Sequence, residues 1–104
     1  MTDDEAFEML SALGDHIRFD YFRRVCDEAG VTATELSSGK AASTTSHHLA
    51  KLEKAGLITA DRVGKTKKYT ADWTKLHALA QWVNGRAEDA QSSAVRQFML
   101  GMGD

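Results

Sequence analysis

Residues 42–58, ASTTSHHLAKLEKAGLI, decide how the rest of the chain is read. The stretch holds two adjacent histidines inside a helical pattern and stops at Gly56. Thr45, His48, Leu49 and Leu52 follow the i, i+3, i+4, i+7 spacing of a core-facing stripe. Thr44, His47, Lys51 and Lys54 fall on the opposite face, flanked by Ser43 and Ser46 near the helix start. Neighbours on a helix point about 100° apart, so the two histidines take different roles. The spacing predicts His47 on the polar face and His48 as a packed, hydrogen-bonded structural histidine. It also places the pair poorly for holding one metal, because ligand pairs on helices favour i, i+4.

Upstream, VTATELSS (31–38) reads as the start of a short helix. Thr32 and Glu35 have capping-box spacing, Val31 and Leu36 that of a hydrophobic staple, and Gly39 ends the element. Downstream, Gly64 and Lys65 mark a tight turn between two short strands, Ile58 to Val63 and Thr66 to Thr70, with Tyr69 facing the core. Two helices come first. One follows Thr2 and carries Ala6, Phe7, Leu10 and Leu13; the other follows an Asp15 cap and carries Ile17, Tyr21, Phe22, Val25, Cys26 and Ala29. A last helix follows Asp72 and carries Trp73, Leu76, Leu79, Ala80 and Val83; NGRAED (84–89) is a possible break in it.

The order predicts a mainly α fold with a small β-hairpin, a winged helix-turn-helix. A single domain is expected over residues 1–104. The helix-turn-helix occupies about 32–55, the wing about 58–70 and the C-terminal helix about 72–99.

Charge is divided along the chain. Formal net charge is −2, yet residues 39–68 hold seven basic side chains against only Glu53 and Asp61. Positive charge concentrated in one supersecondary unit suits a polyanion. The N-terminal part of the second helix of a helix-turn-helix enters the major groove, so Ser43, Thr44, Ser46 and His47 are candidates for contacting bases. Lys65, Lys67 and Lys68 are candidates for phosphates, and Lys40, Lys51 and Arg62 are further candidates for contacting DNA. Double-stranded DNA is the expected partner. RNA is disfavoured by the lack of surface aromatics for stacking, and a protein-binding winged helix would not need such charge.

The chain shows no glycine-rich phosphate loop and no catalytic constellation, so an enzyme is not expected. Cys26, the single cysteine, lies on an apolar stripe and reads as buried and inert. No metal site and no cofactor are expected. No apolar run approaches bilayer length, and the start MTDDEAFEML lacks the basic residues of a signal peptide. The cytoplasm is the expected location.

Three motifs carry a resemblance to the ArsR family of bacterial winged-helix regulators. In FEMLSALGDHIRFDYF, Asp15 and Arg18 match the family's second-helix start, with His16 where proline is usual. In STTSHHLAKLEKAGLI, Ser43, Thr44, Ser46, His48, Leu49, Leu52, Ala55, Gly56 and Leu57 match its recognition helix. In RVGKTKKYTAD, Arg62, Gly64, Lys65 and Tyr69 match its wing. The resemblance implies a homodimeric repressor that binds an inverted-repeat operator and is released by an effector. It implies dimer contacts through the first and last helices, where Phe7, Leu10, Trp73, Leu76, Leu79 and Val83 are the candidates. The chain departs from the family's metal sensors: its third helix has no cysteine, and Asp72, His77, Glu88 and Asp89 lack the C-terminal ligand spacing. Three expectations remain, namely a small organic effector, a redox signal or no effector, and the first is favoured. Ala41 also stands where the family often has a capping serine.

Overall fold

A computed structural model describes residues 1–39 and 41–102. Helix α1 (Asp3–Ala12) opens on a complete capping box. Thr2 Oγ1 accepts from the Glu5 amide and Glu5 Oε1 accepts from the Thr2 amide, both at 3.1 Å. Helix α2 (His16–Asp27) is capped by Asp15, whose Oδ1 accepts from the amides of Ile17 and Arg18. Arg18 Nε in turn donates to the last carbonyl of α1, Ala12 O, at 2.7 Å. Asp15 and Arg18 therefore fix the corner between α1 and α2 by satisfying backbone groups that helix ends leave open.

Strand β1 (Val31–Thr32) comes next, followed by α3 (Ala33–Ser37), α4 (Ala42–Lys54), β2 (Ile58–Val63), β3 (Thr66–Ala71) and α5 (Trp73–Met102). The sheet is antiparallel in the order β1-β3-β2. The hairpin register pairs Val63 with Thr66, leaving Gly64 and Lys65 as a two-residue turn. Gly64 has φ +65° and Lys65 no positive φ, the combination of a II′ turn, which follows the strand twist.

The predicted hairpin is thus enlarged by a third strand. Val31 pairs with Tyr69 and Thr32 with Lys68. Two residues are too few to show an alternating pattern, and Thr32 is also the N-cap of α3, accepting from the Glu35 amide at 3.2 Å. The helical signal hid the strand.

Leu36, Leu49, Leu52, Leu57, Ile58, Val25, Val31 and Tyr69 form the centre of the core. The apolar residues of α1 and α2 divide between the core and the surface. In α1, Ala6, Met9 and Ala12 face inward, while Phe7 and Leu10 are exposed. In α2, Tyr21 and Val25 are buried, but Cys26 is exposed and Ile17 largely so. The expectation of a buried thiol is therefore corrected: an apolar stripe this broad exceeds what one neighbouring helix can cover.

Helix α5 runs through residues 84–89 without a break. There Asn84 donates to Glu88 and Arg86 to Asp89, pairs one helical turn apart that support the helix across Gly85. Trp82 Nε1 donates to Asp3 Oδ1 at 2.9 Å and ties α5 to α1. Leu79 is the inward-facing residue of α5 and packs in the protomer's own core. Its place among the expected dimer contacts is corrected accordingly. Leu76 is half-buried at the edge of that core, and Trp73 and Val83 point outward.

Candidate nucleic-acid interface

Helices α3 and α4 form the helix-turn-helix, and α2 holds both from beneath. Arg24 Nη1 donates to Leu36 O and Nη2 to Glu35 O, each at 3.1 Å. One guanidinium thus satisfies the final carbonyls of α3. Beside it Ser38 adopts the left-handed conformation and Gly39 follows at φ +85°. Helix α4 buries Thr45, Leu49 and Leu52 completely. Its outward face carries Ser43, Thr44, Ser46, His47 and Lys51, all exposed.

The wing stands beside the recognition helix. Ser46 lines a groove of about 320 Å³ together with Thr34 of α3 and Arg62, Lys65 and Lys67 of the wing. Arg62 and Lys67 are direct cross-strand partners. Two like charges opposite each other on a strand pair repel, and no carboxylate among the described residues lies within ion-pair distance of either. A polyanion entering the groove would relieve that repulsion.

The other candidates are distributed differently. Ser43, Thr44 and His47 lie on the free outer face of α4. Lys51 sits on its far flank, in a hollow shared with Glu8 and Arg18. Lys68 is opposite Asp61 and alternates to the wing face away from Lys67. Lys40 lies outside the described residues.

His48 is packed as expected but differs in one respect. Its ring meets the Tyr21 ring edge-on at 6.1 Å, yet its buried Nδ1 has no hydrogen-bond partner. The expected hydrogen bond at that nitrogen is therefore absent among the described residues. Desolvation holds its pKa below the ordinary 6.5, against the opposing pull of the Asp15 carboxylate. At Cys26, partial desolvation and then the adjacent Asp27 carboxylate raise the thiol's pKa. The nearby cation, Arg23, is turned to Asp20 at 2.9 Å and Asp27 at 3.9 Å, so nothing here activates the sulfur. Among the described residues no three or more His, Cys, Asp or Glu side chains converge as a metal site.

Sequence reasoning missed Arg24 and the buried bond between Tyr21 Oη and Thr45 Oγ1, 3.3 Å apart. Neither has a local signal, since each joins residues more than ten positions apart. Thr45 alone was legible, as a hydroxyl on a core stripe.

Residues 32–60 match the family model described as "Bacterial regulatory protein, arsR family". A search of curated proteins finds no significant match. Among solved structures, an ArsR-like transcriptional regulator from Rhodococcus sp. RHA1 is 22% identical, with a TM-score of 0.74 over 91% of this chain and 92% of that one. Reduced HlyU from Vibrio cholerae is 27% identical, with a TM-score of 0.64 over 77% and 85%. The homodimeric winged helix-turn-helix DNA-binding domain of Mb0332 from Mycobacterium bovis is 20% identical, with a TM-score of 0.65 over 86% and 89%.

Proposed function

We propose that this chain, whose residues 32–60 match the arsR-family model, is a regulator of that family and works as a homodimeric repressor on an inverted-repeat operator. In this reading the winged helix-turn-helix serves transcriptional regulation rather than catalysis. The observation that carries the reading is the groove in which Ser46 of the recognition helix meets Arg62, Lys65 and Lys67 of the wing. In this reading Ser43, Thr44 and His47 read base edges in the major groove. The wing cations hold the adjacent phosphates and fix register without reading sequence.

The dimer is supported by apolar surface that one protomer leaves uncovered. Phe7 and Trp73 are 67% and 70% exposed, and Leu10 and Val83 are also exposed. A two-fold dimer would present two recognition helices to half-sites about one DNA turn apart. Release by a small organic effector completes the cycle. No described helix is long and apolar enough to cross a membrane, and the cytoplasm, where operator DNA lies, is the proposed location.

The test is selection of genomic fragments by the purified protein, followed by shift assays at rising salt and light scattering at micromolar concentration. A dimer retaining one palindromic fragment is expected. A monomer that shifts no fragment overturns the reading.

A further inference from the structure

The recognition helix has no side-chain cap at its start. Ala41 is the N-cap residue, and no side chain accepts from the first amides of α4. In the first turn the Ala41 carbonyl accepts from Thr44 N at 3.1 Å and Thr45 N at 3.3 Å. Such a turn frays readily, since helix ends rely on caps for their open amides. Yet this turn carries Ser43 and Thr44, and Ser46 follows directly.

A second tie exists beneath it. Thr45 is fully buried in that first turn, and its hydroxyl meets the Tyr21 hydroxyl of α2 at 3.3 Å. Tyr21 is itself buried, and its ring also meets the His48 ring of α4 edge-on. Among the described residues this is the side-chain hydrogen bond that links α2 to α4. Tyrosine adds only that hydroxyl to what phenylalanine would supply as packing.

We infer that Tyr21 is a positioning residue for operator recognition: its hydroxyl anchors, through Thr45, the uncapped first turn of the recognition helix. The inference rests on the DNA-binding reading for its consequence, but the anchoring itself is measurable without DNA. The bond takes over the work of a missing cap, and it acts on the end of the helix that would enter the groove. Phosphate contacts made by the wing do not depend on it.

The test compares wild type, Tyr21→Phe, Thr45→Val, the double variant, and Tyr21→Phe combined with Ala41→Ser. Amide hydrogen exchange follows residues 42–46, and shift assays compare the selected operator with random DNA. Losing one buried hydrogen bond corresponds to about 3- to 10-fold. Tyr21→Phe should therefore exchange faster by about that factor in the first turn of α4 and lose a similar factor on the operator, with the random-DNA affinity and salt slope unchanged. The double variant should be no worse than the poorer single one. Adding Ala41→Ser should restore protection and operator preference, which a general loss of core packing would not allow. Unchanged exchange at residues 42–46 in Tyr21→Phe overturns the inference whatever the DNA result. Equal losses on operator and random DNA, or no rescue by Ala41→Ser, overturn it as well. A wild type that binds no DNA but shows the exchange effect overturns the proposed function and leaves the anchor standing.

Discussion

Helices α4 and α5 are both amphipathic, but they are completed in different ways. In α4 every apolar stripe residue is covered, with Thr45, Leu49 and Leu52 at 0% exposure, and the exposed face is polar. Helix α5 is 30 residues long, and its inward residue Leu79 is buried near its start. Beyond that point Val83, Val95, Phe98, Met99 and Leu100 stay exposed. Exposed apolar area forgoes about 25 cal/mol per Å² that burial would return. The core of the protomer therefore takes in only the first part of α5, and the rest of that helix presents a surface that a second copy can cover.

The largest expected contrast is in stability. Leu49→Ala should cost about 2–5 kcal/mol in denaturant titration, through lost transfer energy and the cavity left behind. Phe98→Ala should change it by less than about 0.5 kcal/mol at low protein concentration. Equal losses would mean that α5 is as complete as α4.

Association comes next. Trp73→Glu with Val83→Glu should convert the proposed dimer to a folded monomer by light scattering. Operator affinity should then fall about 100-fold or more, because one of two linked half-site contacts is lost. Undiminished binding by that monomer would remove the role given to α5.

A smaller effect separates the two faces of the wing. Lys67→Ala should lower the salt slope by about one unit on operator and random DNA alike. Lys68→Ala, opposite Asp61 on the other face, should lower it less. Identical slopes for the two variants would show that the groove does not define the phosphate path.

The smallest effect is on pH. Because desolvation holds His48 below 6.5 in the folded state, the unfolded chain binds more protons between that depressed value and about 6.5. The contribution is present above 6.5 and is lost as pH falls through the folded value. Urea midpoints measured from about pH 7.5 down to about pH 5 should show this fall in wild type, and less of it in His48→Gln. An equal fall in both would place the titrating group elsewhere.

How much of this was legible in the sequence differs between local and distant features. The hairpin was, because Gly64 and Lys65 sit between alternating strands and the II′ turn sets the register. The polar and buried faces of α4 were also legible, since Thr45, Leu49 and Leu52 repeat with the helical period. Strand β1 was not: its partner, Tyr69, lies 38 positions away, and no local pattern records such a pairing. Nor was the outward turn of Cys26, because α2 carries apolar residues on more than one face.

The sequence by itself determined the order of elements, the recognition helix and the basic segment, because these follow from periodicity, caps and charge within a few neighbouring residues. Only the tertiary structure decided which of those charges share a groove and which apolar faces remain open. It placed Arg62 and Lys67 beside Ser46 and set Lys68 apart; it buried Leu79 and left Trp73 exposed. The physical reason is that a side chain's direction follows from its own backbone, whereas its surroundings follow from how distant segments pack against it.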